Sequence, residues 1–212
     1  MKLHNNIKAI CLAGLLMAST SSCSDWLDVK MEDNVMENTL FGTNEGFQVA
    51  LNGIYISLVD LYTNNLTTGV IDVMAQYYNV TAGNDHSYKT YVTYDFKDQA
   101  FVDFAESVWT KSYQLIANTN TLLEHCYDPE AAVKPALKPV ITGEALALRA
   151  MLHFDLLRLF GPVYSDQTAN QKSIPYQKSS AKEIQPLLPA SEVLANVIAD
   201  LEEAARLLKD AD

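Results

Sequence analysis

Between residues 142 and 160 the chain reads TGEALALRAMLHFDLLRLF, apolar on nearly every side of a helix and interrupted only by Glu144, Arg149, His153, Asp155 and Arg158. A helix that is apolar all round is buried on most sides, so this segment needs helical neighbours on more than one face. Gly161 and Pro162 end it, the glycine as a left-handed stop and the proline as a block to continuation. Whatever else the chain contains, it must fold as a stack of helices around this one.

The periodicity elsewhere supplies the neighbours. Phe47, Ala50, Leu51, Ile54, Leu58 and Leu61 fall at spacings of three and four, which predicts a helix over residues 44–62. Asn44 is its expected N-cap, with Glu45 in the first turn and Phe41 packing back on its start. Trp109, Tyr113, Ile116, Asn120 and Leu123 step along one face of a second helix, residues 103–127, which Asp128 and Pro129 end. Residues 191–209 form a last amphipathic helix, capped by Ser191, with Leu194, Ile198, Leu201, Ala205 and Leu208 as its stripe. The helices at 103–127 and 140–160 read as an αα-hairpin of tetratricopeptide type. Trp109 and Tyr113 are its large inner residues, and Ala145, Ala147 and Ala150 its small ones. No strict repeat recurs, and each hairpin buries its face only against a neighbour. The fold expected is mainly all-α, tetratricopeptide-like helical hairpins carrying an irregular or short-strand loop.

The leading residues read as a processing signal. Lys2 and Lys8 give a basic start, residues 10–18 a short apolar core, and residues 19–22 small side chains directly before Cys23. That core is far below the roughly 20 residues a membrane span requires. Residues 24–40 lack helical period and are rich in acid, which predicts an extended tether. Of three cysteines, Cys126 alone falls within the expected domain, as a buried thiol. With no disulfide framework, residues 41–212 depend on their apolar core. Without residues 1–22, which carry Lys2 and Lys8 and no acid, 13 basic residues face 26 acidic ones. An acidic surface with no basic stripe excludes nucleic acid as a partner.

Catalytic signatures are missing: no HExxH, CxxC or GxSxG and no glycine-rich phosphate loop. Glu144 and Asp155 lie eleven residues apart on one helix, about 16 Å along its axis and too far for a glycosidase carboxylate pair. Arg149 with His153, and Asp155 with Arg158, read as helix neighbours that keep a polar edge solvated or bridge to the next helix. Asn120, within an apolar stripe, must find partners, and the backbone of a neighbouring loop is the expected one.

Residues 72–98 differ in character from the rest. Tyr77, Tyr78, Tyr88, Tyr91 and Tyr94 are mixed with Asn84, Asp85 and His86 without helical period. Flat aromatic faces stack on sugar rings while amides, acids and imidazole bond paired hydroxyls, so this composition suits a glycan-binding loop. The alternative is a loop whose tyrosines pack on the helical body.

Four stretches of this chain resemble one family, the SusD/RagB nutrient-binding lipoproteins of the Bacteroidetes outer membrane. They are the run GEALALRAMLHFDLLRLFGP, the segment CSDWLDV beginning at Cys23, the stretch ALNGIY at residues 50–55, and Ile174-Pro175-Tyr176 after the long apolar helix. In ALNGIY the family uses the glycine to let helices pack closely. The resemblance implies a lipid on Cys23, with residues 1–22 as a lipoprotein signal and 23–40 as a tether to the membrane. It implies a surface-exposed outer-membrane protein that captures an oligosaccharide or peptide, without cofactor or catalysis. The partner implied is a SusC-like TonB-dependent transporter that receives the nutrient. Tyr77, Tyr78, Asn84, Asp85, His86, Tyr88 and Tyr91 are the candidate ligand residues. Family members are more than twice this length, so the chain is expected to be an N-terminal piece. The rival reading is a tetratricopeptide-like scaffold lipoprotein that binds only proteins; a secreted hydrolase is disfavoured by the missing carboxylate pair.

Overall fold

A computed structural model describes residues 32–80 and 87–209. Cys23, the expected signal, and Asn84, Asp85 and His86 lie outside the described residues. Seven helices are described: α1 (Glu32–Phe41), α2 (Asn44–Asn64), α3 (Val70–Met74), α4 (Lys89–Val92), α5 (Gln99–Tyr127), α6 (Lys138–Phe160) and α7 (Ala190–Lys209). Among the described residues there is no named strand, only an isolated antiparallel bridge between Lys172 and Pro189. The chain divides into a short leading unit, Met1–Asn38, and the main unit, Thr39–Asp212.

Side-chain pairs give the directions of the long helices. Phe41, just before α2, stacks on His125, while Asp60 near its end meets Lys111, so α2 and α5 run antiparallel. Arg149 meets Asn120, and Phe160 meets Trp109, so α5 and α6 run antiparallel as the expected hairpin. Gly143 faces Ala204 and Leu208, and Arg149 faces Asp200, which makes α7 antiparallel to α6. Tyr55 bonds Glu144 and Tyr62 bonds Asp155, so α2 runs alongside α6 in the same direction. Helix α6 therefore has neighbours in α2, α5 and α7, and Ile141, Ala145, Leu146, Leu148, Ala150, Leu152, Leu156 and Leu157 are all buried. That is the enclosure its all-round apolar sequence requires.

Helix α2 buries Phe47, Leu51, Ile54, Leu58 and Leu61 as its spacing predicts. Its cap is Thr43 and not Asn44: the Thr43 hydroxyl accepts from the Gly46 backbone N–H at 3.1 Å. Asn44 instead accepts from the Lys134 backbone N–H at 2.9 Å, tying the α2 start to the α5–α6 linker. Phe41 does pack back on the helix start, edge-on to Phe47 with centroids 5.1 Å apart. Helix α5 begins earlier than expected, at Gln99, because Asp98 caps it by accepting from the Ala100 N–H at 2.9 Å.

Four expectations are corrected. The extended tether does not persist to residue 40, since Glu32–Phe41 is helical. Its end is held by the buried Phe41, and such anchoring sustains turns that lack a stripe of their own. The stripe assigned to α7 is only partly right: Leu194 packs against the core and Leu208 against Gly143, while Ile198 is 53 % and Leu201 44 % exposed. The buried face is Ala190, Val193, Val197, Asp200 and Ala204. There α7 lies close against α6, where a Cβ on Gly143 would stand 2.8 Å from Leu208 Cγ and 3.2 Å from the Ala204 carbonyl. Gly143, not Gly53, is thus the glycine that permits close packing, for a Cβ on Gly53 would meet nothing within 4 Å. Finally, Gly161 is extended at φ −85°, ψ 171° and not left-handed. Glycine is needed there for space: a Cβ would sit 2.5 Å from the Leu157 carbonyl oxygen.

Candidate ligand platform and the loop-walled pocket

The segment between α2 and α5 is pinned at its base. Val70 and Val73 of α3 are buried, and the Thr68 backbone N–H donates to Asp72 Oδ2 at 2.8 Å. Gly69 is required by close approach, since a Cβ would lie 2.5 Å from the Asn64 carbonyl oxygen. Thr68, Gln76 and Tyr94 hold positive φ of 57°, 61° and 54°, conformations a side-chain-bearing residue adopts at a cost of about 1–3 kcal/mol each. Two of these three are joined: Gln76 Nε2 donates to the Tyr94 hydroxyl at 3.5 Å, and that hydroxyl donates to the Met74 carbonyl at 2.6 Å.

The candidate tyrosines divide by what holds them. Tyr91 packs edge-on to Phe104, centroids 5.6 Å apart, and its hydroxyl donates to the Ala100 carbonyl at 3.2 Å. Partial burial, with Asp98 nearby, raises its phenol pKa. Tyr94 is committed to Met74 and contacts Phe96, which packs edge-on to Phe101. These rings fasten the segment to α5. Tyr77 and Tyr78 are 78 % and 49 % exposed, and Tyr88 is also exposed, 6.1 Å from Tyr91 between centroids. The structure thus separates Tyr91, a packing residue, from the outward rings Tyr77, Tyr78 and Tyr88. The described residues of the segment form two short helices and turns where the sequence suggested a loop or short hairpin.

A concave feature lies further along α5. It is a cavity of about 340 Å³ floored by Trp109 and Tyr113 and walled by the chain after α6, including Gln177, Lys182, Ile184 and Gln185. Sequence reasoning placed Trp109 and Tyr113 in the core, and they are only partly buried.

The wall is held from within by a buried polar network. Arg149 clasps Asp200 through Nε and Nη2 at 2.7 and 2.8 Å, and its Nη1 donates to Asn120 Oδ1 at 3.0 Å. Asn120 Nδ2 then donates to the carbonyls of Gln177 and Ser179, both at 3.1 Å, which is the loop-backbone role its sequence position predicts. The Tyr113 hydroxyl donates to the Pro175 carbonyl at 2.8 Å, and that of Tyr176 to Asp200 at 2.6 Å. Glu124 accepts from the Ser179 and Ser180 hydroxyls and the Ser180 N–H at 2.6–3.0 Å. Partial burial works against that carboxylate, and the serine bonds hold its pKa below the ordinary value. Burial likewise opposes the Arg149 charge, and Asp200 more than offsets it, so the guanidinium is held more firmly protonated. Among the described residues no buried side-chain nitrogen or oxygen lacks a partner. Arg149 therefore bridges to the next helix, one of the two roles its position allowed, while Asp155 pairs with Arg158 at 3.1 Å as expected.

The remaining acids of α6 are engaged by phenols. Tyr55 donates to Glu144 at 2.7 Å, and burial, helped by that carboxylate, pushes the phenol up to about 12; Tyr62 donates to Asp155. Cys126 is buried and free, and burial pushes its thiol up. Among the described residues no cluster of His, Cys, Asp and Glu is placed to hold a metal ion, and no helix is long and apolar enough to cross a membrane.

The array of long antiparallel helices, with an aromatic segment carried between α2 and α5, defines an all-helical scaffold of stacked hairpins. Two solved structures share this fold. A SusD-like carbohydrate binding protein from Bacteroides vulgatus matches with TM-score 0.63 at 23% identity, covering 78% of this chain and 36% of that one. A SusD superfamily protein from Bacteroides thetaiotaomicron matches with TM-score 0.58 at 22% identity, over 78% and 37%. In sequence, SusD-like protein P38 of Formosa agariphila is 26% identical over 209 residues, 98% of this chain and 39% of that protein. The model of the SusD-like family described as starch-binding and associating with the outer membrane matches residues 25–212, and the chain belongs to that family. It spans about two fifths of the length of the curated relative it matches.

Proposed function

We propose that this chain is the N-terminal part of a cell-surface lipoprotein that captures a glycan and delivers it to a SusC-like TonB-dependent transporter. Cys23 carries the lipid anchor in this reading, and binding is non-covalent and cofactor-free. The observation that supports capture is the outward stance of Tyr77 and Tyr78 on a segment fastened to the body by other rings. Neither phenol is needed by the scaffold, and a fixed, exposed aromatic face is what a pyranose ring stacks on. Asn84, Asp85 and His86 adjoin these tyrosines in sequence and complete the set of hydroxyl-bonding partners. Isothermal calorimetry with maltoheptaose, cellohexaose, xylohexaose and mannohexaose tests the reading. Saturable heat with one of them, lost in the Tyr77→Ala/Tyr78→Ala double variant at unchanged melting temperature, is expected. Heat that the double variant leaves intact removes the platform.

The scaffold reading also has an observation in its favour. Val49, Ile56 and Val59 on α2 are 58–72 % exposed, an apolar strip suited to a protein contact. Under the capture reading the transporter is that protein. Co-purification of the transporter from outer membranes, weakened by Ile56→Asp, is the expected result; equal recovery with Ile56→Asp excludes this strip as the contact.

A further inference from the structure

We infer that the cavity over Trp109 and Tyr113 is a second carbohydrate subsite, which takes one pyranose unit against the two rings and bonds its hydroxyls from the loop after α6. The inference rests on the capture reading for its ligand class and concerns a different place, on α5 and residues 175–185. Its floor is aromatic: the Trp109 and Tyr113 rings lie 4.9 Å apart at 51°, and Phe160 props the indole edge-on from behind at 5.1 Å. An indole so fixed presents a face at little entropic cost. The rest of the lining mixes Gln177, Gln185 and Lys182 with the apolar Ala117, Pro175, Ala181 and Ile184. Amides offer both donors and acceptors, which suits the paired donor–acceptor hydroxyls of a sugar better than a purely apolar or anionic ligand.

What raises this above an incidental hollow is the support behind the wall. Gln177 is held on both backbone groups, its N–H by His153 Nε2 at 3.0 Å and its carbonyl by Asn120 at 3.1 Å. Asn120 is in turn fixed by Arg149, and Arg149 by Asp200. The fold thus devotes a buried charge pair, an amide and an imidazole to setting one loop backbone. That loop sends Ile184 fully into solvent and lines a cavity of ligand size. Binding sites are precise when their positioning groups are locked by such inner bonds.

The test uses the full chain carrying Trp26→Phe, which leaves Trp109 as its only tryptophan. Maltoheptaose, cellohexaose, xylohexaose and mannohexaose are titrated while tryptophan emission and calorimetric heat are followed. The expected result is a saturable change in emission with one of these glycans, its apparent Kd weakened roughly 2- to 12-fold by Gln185→Ala or Gln177→Ala, as for one lost hydrogen bond. Both glutamines are partly exposed and outside the buried core, and an unchanged melting temperature is required so that weaker binding is not loss of fold. Emission that never moves while Tyr77→Ala/Tyr78→Ala abolishes the heat overturns the second subsite and keeps the capture reading. An emission change lost in the tyrosine variant and untouched by either glutamine variant also overturns it. Silence in both signals across all four glycans overturns both.

Discussion

The His153 imidazole lies flat on the Tyr176 ring, centroids 3.8 Å apart and planes 18° from parallel, wedged between two backbone bonds. Its Nδ1 donates to the Arg149 carbonyl at 2.8 Å, so its Nε2 is left to accept from the Gln177 N–H at 3.0 Å. That pattern fits only the neutral ring. A second proton would abolish the Gln177 bond and set a cation beside Arg149.

Burial accordingly lowers the His153 pKa from 6.5 to about 4, against a partial opposing effect of the Arg149 carbonyl. Between those values the unfolded chain binds the proton and the folded one does not. Stability is therefore whole above about pH 6.5 and falls as pH drops toward 4, by on the order of 3 kcal/mol from this group. Urea unfolding at pH 7.5, 5.5 and 4.2 measures the slope. His153→Gln should flatten it; an unchanged slope assigns the loss to other groups.

Asp200→Asn should cost about 3–5 kcal/mol, because it leaves the Arg149 charge buried without its counter-ion. Joint replacement, Arg149→Met with Asp200→Leu, should cost less than the sum of the single changes, as expected of a pair whose members are each worse off alone. A double-mutant cycle by chemical denaturation gives the coupling, and simple additivity would show the two groups to be independent.

Two glycine changes should act in opposite directions. Gly143→Ala forces a Cβ against Leu208 and the Ala204 carbonyl, an overpacking cost of about 1–3 kcal/mol that exceeds the gain in helix propensity. Gly53→Ala enters open space on an exposed helix and should stabilise by about 0.5–1 kcal/mol. Thermal melts of the pair decide it, and a stabilised Gly143→Ala would mean that α6 and α7 are not in close contact.

These glycines also show what a sequence carries and what it withholds. The α2 stripe from Phe47 to Leu61 was legible because its large apolar residues have only one helical face to share. The bonding of Asn120 to a loop backbone was legible because a buried amide has few other options. Helix α7 was legible only in part, since two overlapping stripes compete: Leu194 and Leu208 do pack inward, but Ile198 and Leu201 yield the buried face to Val193, Val197 and Ala204. Trp109 and Tyr113 share the spacing of the buried residues Ile116 and Leu123 and are nevertheless only partly buried. Spacing reports the face of a helix, and cannot report how far along that face the cover extends.

On the aromatic segment, Tyr77→Ala and Tyr78→Ala should each stay within about 0.5 kcal/mol of the parent, as exposed substitutions do. Tyr91→Ala should cost more, for it removes the ring between Phe104 and Phe101 and the bond to the Ala100 carbonyl. Equal losses at all three positions would mean that the outward rings are packing residues after all.

Cys23→Ala should release the full-length protein from the outer membrane, because in the capture reading the lipid is its anchor. Fractionation of cells after metabolic labelling with a palmitate analogue reads this out, and a variant that stays labelled and membrane-bound excludes Cys23 as the site.

The clasp between Arg149 and Asp200 spans 51 residues of chain, and this separation has a kinetic meaning. Helices α2, α5 and α6 meet through apolar contacts that do not involve α7, whereas the guanidinium of Arg149 has its carboxylate only once α7 is in place. Until α7 docks, Arg149 stays hydrated and the backbone of residues 175–181 has no fixed template. The polar core is therefore the last part to close, and the damage done by Asp200→Asn should appear as faster unfolding with little change in the folding rate.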